Sequence, residues 1–457
     1  MVCAVPCGAQ DPIPGFTAND RVLIVAPHPD DETLGTGGVI QRALKSGAQV
    51  RIVWLTNGDS NELAFIVYEK RLTFRKVEFL HMGEVRRKEA VLAMKALGVP
   101  ETNLTFLGYP DFGTMTIFRN HWAGEKPFRS LMTRVKSVPY RESPSYGAPY
   151  KGESILRDFK TILKAFKPTK IFVTLPSDTN VDHRAANLFL QVALWDLEGV
   201  IPAPEVFPFL IHVPNWPLPR GFHPELVIDP PDSFARSHVV WRKLDLSDGE
   251  IVGKYEAISL FESQIAYNPP YLYTFARHNE LFGAYPLIIL PDCDGEDIIW
   301  EDIESQMPTE AHVIDETQPQ SRHIDSIGYA QKDGFLYVRV RLRNWKSEIF
   351  GTDLYLFGYK KGVDFALMPK VRLRLRWPAL CLIYDKRHHI HRKGLKAKFG
   401  DKMIEVQVPL SALGDPDYIL SSASSSSRGL TQDTTAWRIL RPAGSRTGEE
   451  IHANSTE

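Results

Sequence analysis

The chain has 457 residues, is 43% hydrophobic, and sets 54 Lys+Arg against 55 Asp+Glu for a formal net charge of -1. That length exceeds what one core usually covers, so two domains are expected, and the composition suits a globular protein. The near-neutral charge offers no global electrostatic argument for nucleic acid, no run of about eighteen apolar residues predicts a membrane span, and the 4 cysteines are too scattered for a disulfide scaffold or a cysteine-type zinc site.

Residues 1–19 read as an N-terminal tail. Small residues precede Cys7, faintly like the end of a lipoprotein signal, but a basic n-region and an apolar h-region are both missing. As written the chain is expected to be cytoplasmic; a signal lying upstream would make it a cell-envelope protein. The first predicted strand, over 22–26, is hydrophobic and ends at His28-Pro29-Asp30-Asp31-Glu32, one imidazole and three carboxylates in one turn. A histidine and carboxylates at a strand's C-terminal edge can bind a divalent metal, and a carboxylate left uncoordinated can act as a base. Capping of the next helix is the competing explanation for the acids, but it does not require the histidine.

A helix is expected near 34–45, a strand over 49–55, a helix near 84–97 ended by Gly98, and a strand over 103–107. Residues 112–152 form a long, turn-rich segment carrying Trp122, Tyr140 and Tyr150, expected as a lid or groove wall with aromatic faces for sugar rings. A helix over 154–166 is stopped by Pro168, and a strand over 170–175 follows. Next comes Pro176-Ser177-Asp178-Thr179-Asn180-Val181-Asp182-His183, then a helix to about Trp195 and a strand over 206–213. The alternation predicts an α/β fold, Rossmann-like, with a mostly parallel sheet and helices on both faces. A catalytic zinc keeps three protein ligands and one open position, so a third ligand should come from a distant segment. His183, again at a strand's C-terminal edge, is the best candidate.

The run Ala26-Pro27-His28-Pro29-Asp30-Asp31-Glu32-Thr33-Leu34-Gly35, followed by Gly37-Gly38, resembles the opening signature of the PIG-L/LmbE family of zinc-dependent de-N-acetylases. That family removes acetyl groups from N-acetylglucosamine-type sugars. The resemblance implies that His28 and Asp31 bind zinc, with another divalent ion as the alternative, and that Asp30 is the general base. It places His183 as the third ligand and Asp182 as an acid orienting a neighbouring group. In relatives the second motif begins with a histidine thought to stabilise the oxyanion or assist the leaving amine, and here that position is Asn180. An asparagine amide can donate to an oxyanion but cannot carry a proton to nitrogen. Asp30 could return that proton, or His212 could supply it from its strand's end. Arg86-Arg87-Lys88-Glu89-Ala90 resembles the family's helix with a sugar-contacting arginine, which selects Arg86. Leu107-Gly108-Tyr109-Pro110-Asp111 resembles a family turn whose aspartate could touch sugar hydroxyls. Lys254-Tyr255-Glu256-Ala257 and Arg277-His278-Asn279-Glu280 extend the resemblance, so the deacetylase-like domain is expected over 20–295.

An acidic linker is expected over 296–310. Short alternating runs over 311–441 then predict an antiparallel β-sandwich, with Val338, Val340, Leu342, Val371, Leu373 and Leu375 inward. The intervening arginines and the basic run 386–393 would form a basic face. That face is either ordinary solvated surface or a site for an anionic polymer or membrane surface. Serine-rich 421–427 reads as a loop, and 442–457 as a disordered tail. The expected activity is hydrolysis of the N-acetyl group of an N-acetylglucosamine-type sugar, glycoconjugate or polysaccharide. Hydrolysis of another N-acyl amide is the alternative within the class, and a decayed carbohydrate-binding protein the alternative outside it. No nucleic-acid partner is expected.

Overall fold

The structure, a computed structural model, describes residues 10–60, 75–266, 268–291, 298–302, 324–342, 350–376, 379–391, 394–427 and 430–444. Cys3, Cys7, Cys293, most of the expected linker and the last thirteen residues of the tail lie outside these. The first part alternates β2 (Arg21–Ala26), after a two-residue β1 (Asp11–Pro12), with α1 (Asp31–Lys45), β3 (Gln49–Thr56), α2 (Lys76–Ala96) and β4 (Leu104–Tyr109). Then follow α3 (Thr114–Asn120), α4 (Gly152–Phe166), β5 (Lys170–Thr174), α5 (Val181–Asp196), β6 (Glu205–Phe209), β7 (Val240–Asp245), α6 (Asp248–Ile258), short helices α7 (Glu262–Ile265) and α8 (Pro269–Tyr273), β8 (Asn279–Ala284) and β9 (Ile288–Ile289).

Strands β1 to β8 form one sheet in the order β1-β7-β8-β6-β5-β2-β3-β4. The run from β6 to β4 is parallel throughout, and β8 is antiparallel to both its neighbours. Strand β2 explains why the sheet is covered twice. Val22, Ile24 and Ala26 enter one buried cluster with α1, α2 and α6, while Leu23 and Val25 enter another with α3, α4 and α5. A strand buried on both faces reads as a continuous apolar run, which is what the sequence displays. The chain builds β2, β3 and β4 toward one edge and then returns to place β5 on the other side of β2. The crevice outside the carboxyl ends of β2 and β5 is therefore a topological switch point, where open α/β sheets bind ligands.

Helix α1 is two segments joined at Thr36, whose φ of -143° is non-helical. The second segment starts with free amides, and Glu280 of β8 accepts from Gly38 N at 2.7 Å and Val39 N at 3.0 Å. Its carboxylate is also paired with buried Lys254 at 2.7 Å, which neutralises it. Gly38 has no room for a side chain, since a Cβ would lie 2.3 Å from Leu246 Cδ2 and 3.2 Å from Glu280 Cδ. Gly38→Ala should therefore destabilise the protein by about 1–3 kcal/mol through overpacking. Urea unfolding is the check, and a loss below about 0.5 kcal/mol would mean that the contact relaxes without cost.

Beyond β8 the chain turns antiparallel. One sheet runs Ile299–Asp302, Ile324–Lys332, Phe335–Leu342, Met403–Pro409 and Lys396–Phe399; the other runs His388–His389, Leu380–Asp385, Lys370–Arg376, Phe350–Tyr359, Tyr418–Ser427, Arg438–Arg441 and β9. Val338, Val340, Leu342, Val371, Leu373 and Leu375 share one buried cluster between them. Two expected boundaries move. Strand β9, inside the range assigned to the first domain, pairs with Arg438–Arg441, and the strand Ile299–Asp302 occupies part of the expected linker. The serine-rich run 421–427 is no loop: it lies in the ten-residue strand Tyr418–Ser427 between two partners. Its hydroxyls are satisfied locally, Ser422 Oγ by Thr435 O at 3.0 Å and Ser421 Oγ by the Tyr329 hydroxyl at 3.0 Å, which removes the polar cost of burying them. The expected single basic face divides between the outer sides of the two sheets, because the two strands pack their apolar residues against each other: Arg339 pairs with Glu405 at 2.6 Å on one and Arg374 with Asp353 at 3.3 Å on the other.

The two parts share a core. Tyr355, Phe357, Tyr359, Phe365 and Trp437 join the cluster of Phe118, Trp122 and Phe189 from the first part. Trp122, Tyr140 and Tyr150 of the expected lid are buried there as well, so they offer no open aromatic face. Among the described residues no helix is long and apolar enough to cross a membrane.

Candidate metal centre

The turn after β2 is held in an unusual backbone state. Asp30 has φ 120°, a region that non-glycine residues seldom adopt and that costs on the order of 1–3 kcal/mol. Three bonds hold it: Asp30 O accepts from Thr33 N and Leu34 N, both at 2.9 Å, and Asp30 N donates to Glu32 Oε2 at 3.0 Å. Glu32 is fully buried and also accepts from Trp54 Nε1 at 2.8 Å. It stabilises the start of α1 from inside, and burial pushes its carboxyl up to about 8.

Pairing of β2 with β5 brings His28 and Asp31 against His183. His28 Nδ1 lies 3.1 Å from Asp31 Oδ2, His183 Nε2 lies 3.1 Å from the same oxygen, and the two ring nitrogens are 3.3 Å apart. Bonds of 2.0–2.1 Å to one tetrahedral ion put its ligands about 3.3 Å apart, so this triangle fits a zinc-sized divalent ion. The residues are 6%, 1% and 0% exposed. Burial alone would raise the Asp31 carboxyl, yet the flanking His183 and His28 hold it well below the usual range.

Both rings are oriented from behind. His183 Nδ1 meets Asp178 Oδ2 at 3.1 Å, and that oxygen also accepts from Ile211 N and His212 N. His28 Nε2 faces Asp111 Oδ1 at 3.1 Å and Asp182 Oδ2 at 3.4 Å. A carboxylate on the far nitrogen fixes the tautomer so that the near nitrogen keeps its lone pair for a metal. His28, Asp111 and Asp182 also form a second group of suitable donors. Asp182, however, already accepts from Phe112 N at 2.5 Å, Thr114 N at 3.0 Å and the Thr114 hydroxyl. Its lone pairs are taken, which favours the triangle with Asp31 and His183.

Asp30 stands beside the triangle without joining it. Burial, with Asp31 adding to it and Arg86 opposing, pushes its carboxyl up to about 7. Arg86 is 4% exposed, and its guanidinium reaches Pro29 O at 2.7 Å, Gly58 O at 3.0 Å and Asp30 Oδ2 at 3.2 Å. These bonds tie it to the turn and to the base candidate. Asp111, expected like Arg86 to meet the sugar, is 5% exposed and faces His28 Nε2, with its other oxygen accepting from Ser60 N. Asn180 caps α5, its Oδ1 accepting from Asp182 N at 2.9 Å. His212 follows β6 and sets its ring edge-on to His183 with centroids 4.8 Å apart, while Tyr271 Oη lies 3.1 Å from its Nδ1. Burial lowers His212 to about 4, which makes it a poor proton donor near neutrality. Sequence reasoning passed over Asp178 although it stood in the second motif; its position five residues before His183 was the available signal.

A buried two-histidine, one-aspartate triangle at a switch point, with a further carboxylate beside it, is a donor set suited to a divalent metal ion. Residues 23–194 match the family described as PIG-L: GlcNAc-PI de-N-acetylase. Among curated relatives, a 1D-myo-inositol 2-acetamido-2-deoxy-alpha-D-glucopyranoside deacetylase of Mycobacterium sp. (strain KMS) is 39% identical over 90 residues, 20% of this chain and 28% of that protein. A deacetylase 2 of the same description from Saccharopolyspora erythraea is 29% identical over 206 residues, 44% of this chain and 66% of that protein. The chain thus spans between about a quarter and two thirds of the length of these relatives. Of solved structures, N,N'-diacetylchitobiose deacetylase from Pyrococcus horikoshii aligns with TM-score 0.35 and 19% identity over 57% of this chain and 82% of its own. The 4-carboxy-2-hydroxymuconate hydratase from Pseudomonas putida KT2440 aligns with TM-score 0.35 and 18% identity over 60% of this chain and 97% of its own.

Proposed function

We propose that this protein is a zinc-dependent N-deacetylase that hydrolyses the acetamide of an N-acetylglucosamine-type sugar, free or within a glycoconjugate. The observation that carries the reading is the triangle of His28 Nδ1, Asp31 Oδ2 and His183 Nε2, with edges of 3.1–3.3 Å, beside an Asp30 that is kept out of it. The segment matched to the PIG-L family and the deacetylase activity named for the curated relatives support the substrate class. Zinc held by these three residues would supply Lewis-acid polarisation of the acetyl carbonyl and a lowered pKa for water. Asp30 removes the proton from the attacking water as the C–O bond forms, and returns it to the sugar nitrogen as the C–N bond breaks, releasing acetate and the free amine. Arg86 fixes the Asp30 carboxyl, and Asp178, Asp111 and Asp182 fix the two rings. His212 is given no proton to deliver. In the same reading the first sheet is Rossmann-like, with its domain ending near β8, and the second unit is an antiparallel β-sandwich. The two arginine faces, paired with Glu405 and Asp353, take no part in it.

The test is metal analysis of the full chain together with acetate release from N-acetylglucosamine and its short oligomers. One equivalent of zinc and zinc-dependent acetate release are expected. Zinc uptake with no acetate from any of these substrates would overturn the deacetylase reading in favour of a binding protein or another amide substrate.

A further inference from the structure

The C-terminal unit meets α3 and α5, which support the metal centre, through an aromatic cluster, and within it Trp437 also bonds to the loop that leads into α5. Its backbone N–H donates to Pro176 O at 3.1 Å. Pro176 begins the loop that carries Asp178, which orients His183, and leads into α5, which carries Asp182 and His183. The indole of Trp437, 2% exposed, packs edge-on to Phe118 with centroids 6.2 Å apart, and is backed by Phe357 at 5.3 Å and Tyr355 at 5.7 Å. Phe118 lies on α3, whose first residue, Thr114, grips Asp182 through its amide and hydroxyl, and Asp182 in turn faces His28 Nε2. Trp437 therefore reaches the support of His183 by a backbone bond and that of His28 through α3, whose Phe118 it holds together with Phe357 and Phe365, each 5.9 Å from that ring.

We propose that Trp437 is a positioning residue for the metal centre, so that the C-terminal antiparallel unit is part of the site's support and not a tethered substrate module. This rests on the metal reading above. The strands around Trp437 are rigidly paired, Arg438–Arg441 lying between Tyr418–Ser427 and β9, so the indole is fixed before it meets α3. A packed aromatic cluster transmits position because it has few voids into which Phe118 could relax.

Zinc affinity of the full-length chain, measured by competition with a chromophoric chelator, tests this alongside thermal unfolding. Trp437→Ala should weaken zinc binding by about 10–100-fold, the range seen when residues behind a ligand are lost, while Trp437→Phe should stay within about threefold of wild type. If the alanine variant does not fold, Trp437→Leu takes its place. Tyr418→Leu is the control for a merely loosened interface. Tyr418 stacks on Trp195 at 4.8 Å, at the far end of α5 and about 18 Å along the helix from His183. It should lower the unfolding temperature and leave zinc affinity unchanged. With an N-acetylated sugar as substrate, the Trp437 variant should lose kcat with KM little moved. Unchanged zinc affinity in Trp437→Ala, or an equal loss in Tyr418→Leu, overturns the proposal. A wild-type chain that takes up no zinc overturns the metal reading, and the brace with it.

Discussion

Asp30→Asn is expected to lower turnover of an N-acetylated amino sugar by about 10²–10⁴-fold while one zinc per chain stays bound. The substitution keeps the shape of the side chain and removes only its ability to accept a proton, and an isosteric side chain adds no new clash to the backbone at φ 120°. The bonds from Thr33 N and Leu34 N to the residue 30 carbonyl, and from the residue 30 N–H to Glu32 Oε2, involve only the backbone of residue 30, so they survive. Arg86 loses a charged partner at 3.2 Å but keeps Pro29 O and Gly58 O. The ligand triangle does not use residue 30, so zinc affinity should change by less than about tenfold, the low end of what the loss of a group behind a ligand costs. Acetate release under saturating substrate and zinc content after desalting are the two measurements. Wild-type turnover in the variant would remove Asp30 from the chemistry; loss of zinc would make it a ligand.

How much of this could be read from the sequence depends on whether a feature is local. The strand over 22–26, the acidic turn after it and the His183 motif after 170–175 are local patterns, and the structure has a strand at each place. What a linear reading cannot supply is that β5 lies directly beside β2, because β3 and β4 intervene in the chain and go to the other side. The parallel pairing closes a separation of 155 residues between His28 and His183 to 3.3 Å. Side-chain commitments were the least legible. Arg86 is selected by resemblance as a sugar contact, and a linear reading does not show that its guanidinium meets two carbonyls and Asp30 where α2 packs on the β2 turn. The place of Asp111 facing His28 is equally invisible before the turn after β4 is folded. Composition misled at 421–427, where serines suggested a loop but buried Ser421 and Ser422 find hydroxyl partners in Tyr329 and Thr435.

His183→Ala is expected to abolish stoichiometric zinc binding and, with it, the dependence of thermal stability on zinc. For the wild-type chain, free zinc at a thousandfold over Kd should stabilise the folded state by about 4 kcal/mol relative to chelator, since the unfolded chain offers no such triangle. In the variant His28 Nδ1 and Asp31 Oδ2 remain, 3.1 Å apart, and two donors make a weak site. The zinc-induced rise in unfolding temperature should therefore vanish. Stability measured in chelator should fall as well, because a fully buried ring is removed and Asp178 loses one of the donors that satisfy it. The comparison between chelator and zinc isolates the metal from that packing loss. It also decides between the two donor groups that share His28. Were the ion held by His28 with Asp111 and Asp182, His183→Ala would keep its zinc-dependent rise and Asp111→Asn would lose it. The opposite pattern follows from the structure, because Phe112 N, Thr114 N and the Thr114 hydroxyl already occupy Asp182, whereas Asp31 Oδ2 faces two histidine nitrogens that only a cation or a proton can satisfy together.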